Sequence, residues 1–157
     1  MEYSQQKQKL LELEKIGDYV FHGSGSKIEE EFEPRQAYNH KLKEDGTYDA
    51  IPDGQPAVFT SHIVDIAIFM AIFNSENLKK SCRSGFSFVD GDVLFRVNKE
   101  TYQNLPQTAQ GYVYVFLKKD FEKINSTEYV SYKKVKPVET IKISVRDLPE
   151  NIEVKEF

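Results

Sequence analysis

The apolar positions along the chain follow two rhythms. Between residues 3 and 16, Leu10, Leu11, Leu13 and Ile16 fall on one side of a 3.6-residue period, and Gly17 stands where a left-handed residue closes a helix. That pattern predicts a helix over 3–16. The short run Tyr19-Val20-Phe21 predicts a strand over 18–22, broken by Gly23-Ser24-Gly25-Ser26. Residues 27–56 are mostly polar and punctuated by Pro34, Gly46, Pro52, Gly54 and Pro56. They read as a long loop with a short helix around 27–32, and loops of that length are usually functional or mobile. A buried strand is expected at 57–60. Ser61 then caps a helix from 62 to about 73, in which Ile63, Ile66, Ala67, Met70 and Ala71 face the core and Phe69 and Phe73 flank that stripe.

The second half changes to β rhythm. Strands are predicted at 86–89 and 93–97, joined by Asp90-Gly91, a strong two-residue hairpin signal. A turn or short helix fits 98–105. Residues 111–117 form the clearest strand, with Tyr112, Val113, Tyr114, Val115 and Phe116 in succession. A loop or one helical turn at 118–123 precedes strands at 127–132 and 138–145. The tail from Arg146 contains Pro149 and adds a last edge strand at 152–154. A doubly wound parallel sheet needs βα alternation throughout, which is missing. The expected class is α+β, with a mainly antiparallel, split β-sheet core, an N-terminal helix and a helix after the second strand. It forms one domain: N-terminal helix 1–17, core 18–145, tail 146–157.

Composition supports a folded domain. The chain has 157 residues, 39% of them hydrophobic and 29% charged, and its 11 Phe and 9 Tyr sit largely in the β-like runs. That length can bury roughly 68–70% of the surface of the unfolded chain. The net charge of −4 argues against a protein dominated by phosphate-backbone contacts. The clusters Lys79-Lys80-Arg83 and Lys133-Lys134-Lys136 read as solvated faces. Cys82 is the single cysteine, so no intramolecular disulfide forms, which fits a reducing compartment. The polar start of the chain shows no apolar signal region, and the longest apolar run, 66–73, falls well short of the roughly 20 residues that span a bilayer. A cytoplasmic protein with no membrane contact is expected.

Several chemistries fail on spacing. His22, His40, His62 and one cysteine show no zinc-ligand pattern, so no metal is expected. There is no serine-hydrolase elbow, and Gly23 and Gly25 fit neither a phosphate loop nor a dinucleotide fingerprint. Three segments remain. In Tyr19-Val20-Phe21-His22-Gly23-Ser24, an apolar strand carries a His to its end, next to a glycine that lets a flat ligand approach the backbone. In Ala57-Val58-Phe59-Thr60-Ser61, a strand leads into the helix holding Ala67 and Phe69, and an aromatic ring there can stack on a ligand ring. In Ser126-Thr127-Glu128-Tyr129-Val130-Ser131-Tyr132, a carboxylate opens a strand among aromatics.

In this order, the three segments resemble the ADP-ribosyltransferase superfamily. The likeness is to the poly(ADP-ribose) polymerase branch, the diphtheria-toxin-like type, in minimal form. That branch carries His-Gly-Ser/Thr at a strand end, a strand leading to a helix with Ser or Ala and an aromatic, and a Glu-Tyr-Val/Ile-x-Tyr strand. Here these are His22-Gly23-Ser24, Val58-Phe59-Thr60-Ser61 with Ala67 and Phe69, and Glu128-Tyr129-Val130-Ser131-Tyr132; 36 residues separate His22 from Val58 and 70 separate Val58 from Glu128.

The resemblance implies NAD as the substrate. His22 would bond the adenosine ribose, and Gly23 would hold the nicotinamide carboxamide through its backbone. Phe69 would pack on the nicotinamide ring, and Thr60 or Ser61 would help bind the carboxamide. Arg35 and Tyr38 would meet the diphosphate or adenine. Glu128 and His22 would form the catalytic pair, with Glu128 at the scissile bond. The family's middle tyrosine falls on Val58, or on Phe59 with a one-residue shift, and either lacks its hydroxyl. The implied activity is transfer of a single ADP-ribosyl unit to a macromolecule, a protein rather than a nucleic acid, or hydrolysis of NAD. The tRNA 2′-phosphotransferase branch is disfavoured by the negative charge and the missing Arg-rich pattern. The alternative is the same fold without catalysis, holding NAD, ADP-ribose or a protein partner.

Overall fold

The computed structural model describes residues 2–28, 31–79 and 82–156; the side chains of residues 37–42, 48, 49 and 53 are outside that description. Helix α1 (Gln5–Ile16) opens at Ser4, whose hydroxyl accepts from the Lys7 N–H, and closes at Gly17 with φ 84°. Strand β1 (Tyr19–Ser24) follows, then β2 (Arg35–Leu42), β3 (Tyr48–Ser61) and helix α2 (Val64–Ile72). Next come the hairpin β4 (Ser84–Val89) and β5 (Asp92–Val97), helix α3 (Lys99–Asn104) and β6 (Gln110–Leu117). The chain ends with β7 (Glu122–Lys123), β8 (Glu128–Ser131), β9 (Glu139–Ser144) and β10 (Ile152–Val154).

The α+β class and its two-part sheet are as expected. Seven strands form one sheet, ordered β7-β8-β3-β1-β6-β9 with β2 paired to β3, and three form a second, ordered β10-β5-β4. Every pairing in the large sheet is antiparallel, and β10 runs parallel to β5. Between β4 and β5, Asp90 and Gly91 both have positive φ, the geometry a two-residue primed turn requires.

Each face of the large sheet has its own core. On one face, Phe21, Val113, Val115, Ile141 and Ile143 pack with Leu10 of α1, with α2, and with Phe95 and Val97 of the small sheet. On the other, Val20, Val58, Tyr114, Phe116 and Tyr129 enclose Phe32. Helix α2 lies so close to the sheet that a Cβ on Gly23 would sit 1.8 Å from the Ala67 carbonyl oxygen, and one on Gly111 would sit 2.1 Å from that of Ala71.

Four expectations are corrected. The polar stretch 27–56 is chiefly a β ribbon, β2 with the first half of β3, and no helix forms at its start among the described residues; 29 and 30 lie outside them. Away from the sheet, β2 and this half of β3 pair only with each other among the described residues, so each keeps an open edge there where Pro52 and Pro56 are tolerated. Gly23 and Ser24 do not break β1 but extend it, because β6 pairs with them to the end. Ser61 does not cap α2: its hydroxyl accepts from the Ile63 N–H, the helix begins at Val64, and Glu14 of α1 accepts the Val64 N–H at 2.7 Å. Met70 is 48% exposed and faces away from the core, while Phe69 and Phe73 are buried.

Candidate functional site

The peptide groups of β1 alternate between its two neighbours. The Lys118 N–H donates to the Asp18 carbonyl, and on the far side of β6 the Val138 N–H donates to Val115. With the register Phe21↔Val115 and His22↔Tyr114, this phase turns the backbone of Val20, His22 and Ser24 toward β6. The N–H and C=O of Phe21 and Gly23 therefore face β3. Phe21 meets Ser61 there, and beyond that pair β1 and β3 have no further paired residues. The Gly23 peptide edge thus opens into a split between two central strands. Its missing side chain serves α2; its free backbone serves the split.

His22 bridges the split. Its Nδ1 lies 2.7 Å from the Phe59 carbonyl oxygen, so Nδ1–H donates and Nε2 keeps its lone pair. Phe32 packs against the ring edge-on at 5.1 Å. Burial pushes the His22 pKa below its ordinary 6.5; the bond to Phe59 opposes this and the Arg35 charge adds to it. The ring is therefore neutral at pH 7.

Two clefts meet at Ser24. One, of about 560 Å³, lies on the His22 face and is lined by His22, Ser24, Phe32, Arg35, Val58 and Phe59, among others. The other, of about 430 Å³, is lined by Gly23 to Ser26, by Phe69, Met70, Phe73 and Asn74 of α2 and its end, and by Ser84 to Phe86 of β4. Both volumes are in the range of small-molecule sites. The segment between them is clamped by Tyr114, whose hydroxyl accepts from the Ile28 N–H and donates to the Ser26 carbonyl at 3.1 Å.

The expected site residues divide by face. Directly paired residues share a face, and Phe21, Ser61 and Glu128 are paired across β1, β3 and β8. Glu128 therefore stands on the α2 face with Gly23 and Phe59, while His22, Ser24, Val58 and Thr60 stand on the other. The two possible positions for the middle residue are thus on different faces: Val58 with His22, Phe59 with Glu128. Arg35 is exposed at the mouth of the His22 cleft; Tyr38 lies opposite Pro52 on the ribbon, and its side chain is not described. The Thr60 hydroxyl donates to the Tyr129 carbonyl at 2.9 Å and the Ser61 hydroxyl holds the turn into α2, so both are engaged within the fold. Phe69 is 2% exposed, packed between Phe73 and Phe95 at 4.9 Å from each, and offers the cleft beside α2 a wall rather than an open ring face. Glu128 is half-buried, lines neither cleft, and accepts from Asn125 Nδ2 at 2.7 Å.

Sequence reasoning missed Phe32, Tyr114, Asn74 and Asn125. Phe32 is a lone aromatic in a polar stretch, and besides His22 its ring partners are Tyr114 and Phe116, 82 or more positions away. Asn74 carried a legible signal, a polar cluster after an apolar helix; its amide donates to the Met70 and Ala71 carbonyls and closes α2. Compared with protein-family models, with curated proteins and with solved structures, the chain matches none. Among the described residues no three His, Cys, Asp or Glu side chains are grouped to hold a metal ion, and no helix is long and apolar enough to cross a membrane.

Proposed function

We propose that the chain binds NAD across the split between β1 and β3 and cleaves its nicotinamide–ribose bond, as an ADP-ribosyltransferase or NAD glycohydrolase. One observation carries this reading. Three segments spread over more than 100 residues, and singled out by their chemistry, lie on the neighbouring strands β1, β3 and β8, and the sheet parts beside Gly23. An elongated dinucleotide suits two clefts that join at Ser24. The neutral His22 offers Nε2 as an acceptor for a ribose hydroxyl, and Arg35 offers charge to the diphosphate. The Gly23 N–H and C=O match the donor and acceptor of a carboxamide.

The chemistry needs little else. The C1′–N bond breaks with its electron pair going to nicotinamide, which leaves neutral and needs no general acid. A carboxylate near the 2′-hydroxyl stabilises the positive charge that develops on the ribose. The acceptor oxygen then bonds to C1′ and gives its proton to Glu128 or to water. The proposed acceptor is a cytoplasmic protein or water.

A second reading is a catalytically silent module of the same fold. Two observations favour it: neither Val58 nor Phe59 carries a hydroxyl, and Glu128 stands outside both clefts. Both readings require NAD or ADP-ribose in the split. Calorimetric titration with NAD tests that shared requirement: binding is expected in the wild type and lost in His22→Ala, whereas a wild type that takes up no NAD removes the assignment.

A further inference from the structure

Asn125 uses both ends of its amide on one neighbour. Its Oδ1 accepts from the N–H groups of Thr127, at 3.0 Å, and Glu128, at 2.8 Å, an Asx-type turn that starts β8. That turn needs only the oxygen. Its Nδ2 makes a further bond, donating to Glu128 Oε1 at 2.7 Å. The backbone closes the same loop, with the Ile124 N–H donating to the Glu128 carbonyl. Glu128 is thereby held at its backbone and at one carboxylate oxygen, while Oε2 has no partner among the described residues.

We infer that Asn125 is a positioning residue that fixes the plane of the Glu128 carboxylate and presents Oε2 toward the reacting ribose, an inference that rests on the reading of Glu128 proposed above. A donor on Oε1 removes the rotation that a free side chain at a strand end would have. Orientation of this kind is where small displacements cost most: a misplacement of about 1 Å can lower a rate about 10²-fold.

Two substitutions separate positioning from folding. Asn125→Asp keeps the oxygen that accepts from Thr127 and Glu128 but replaces the donor with a second anionic oxygen against Glu128. Asn125→Ala removes both functions. Nicotinamide release from NAD, NAD affinity and thermal midpoint are measured for the wild type and both variants. The expected result for Asn125→Asp is a kcat lower by about 10²-fold, with NAD affinity and thermal midpoint close to wild type. Asn125→Ala is expected to lose turnover and thermal midpoint together. An Asn125→Asp variant that turns over at the wild-type rate, or that loses rate only as it loses stability, overturns the inference and leaves Asn125 a turn residue. A wild type that binds NAD but releases no nicotinamide is distinguishable from either: it defeats the catalytic reading of Glu128, and the positioning role falls with it.

Discussion

Gly23 combines two requirements that a single methyl group separates. Its backbone faces the split, and the place of its side chain is taken by the Ala67 carbonyl of α2. Gly23→Ala must push the helix off the sheet, and the expected loss is about 3 kcal/mol or more, at the upper end of overpacking costs; urea unfolding measures it. The adjacent His22 predicts a pH dependence. Its folded-state pKa is lowered by burial, so the unfolded chain binds the extra proton first as the pH falls through the ordinary His value near 6.5. The stability that neutral His22 allows is present above that pH and is lost below it, down toward the lowered folded value. Protonation of the folded protein also consumes the Nε2 lone pair, so the proposed NAD affinity should hold through pH 6.5 and weaken only as the pH falls through the lowered folded-state value, read by calorimetry at several pH values. In His22→Gln, which keeps a polar amide but cannot titrate, stability over this window should flatten. His22 and Gly23 were legible in the sequence because their strand is apolar and ends in glycines. Their relation to Phe59 and Ala67 was not, since a local pattern does not say which distant backbone lies opposite.

Helix α2 shows how one element borrows its termini from others. Its run of apolar residues made it visible, yet its first N–H groups are not satisfied by Ser61. The Glu14 carboxylate arrives from α1 and accepts the Val64 N–H. Burial there raises the Glu14 pKa above 4.5, and Asp65 adds to the rise, so the ionised cap carries a desolvation cost. Glu14→Ala should lower stability by about 1 kcal/mol, the usual loss for a helix cap. Glu14→Gln keeps an accepting oxygen without the charge and should retain most of it; paired denaturation curves distinguish the two. The β ribbon is the opposite case. Its described side chains around the turn, Lys43 to Thr47, are exposed, so no buried face imposes alternation, and prolines suggested a loop. Strand order was likewise illegible: the hairpin β4–β5 announces itself through Asp90-Gly91, but the insertion of β1 between β3 and β6 depends on contacts far apart in sequence.

At the scale of the molecule, the N- and C-terminal regions lock together around the site. The Ser4 N–H donates to Asp147 Oδ1 at 2.7 Å, the Lys7 ammonium donates to the Asp147 carbonyl and pairs with Asp65, and Asp147 is 1% exposed. This fastens α1 against α2 and β9, and α1 in turn supplies the cap that sets where α2 begins. The sheet, the helix pressed on Gly23 and the split beside it are therefore one mechanical unit. The three motif strands are contiguous in it, although their sequence separations gave no reason to place β8 beside β3. Whether this unit breaks the bond between nicotinamide and ribose, as proposed, is read most directly from nicotinamide release from NAD by the purified wild type beside Glu128→Gln. Release by the wild type is expected, with loss of turnover and retained NAD binding in Glu128→Gln. Equal release by both proteins, or none by a wild type that binds NAD when supplied with candidate acceptor proteins, would contradict the proposed cleavage.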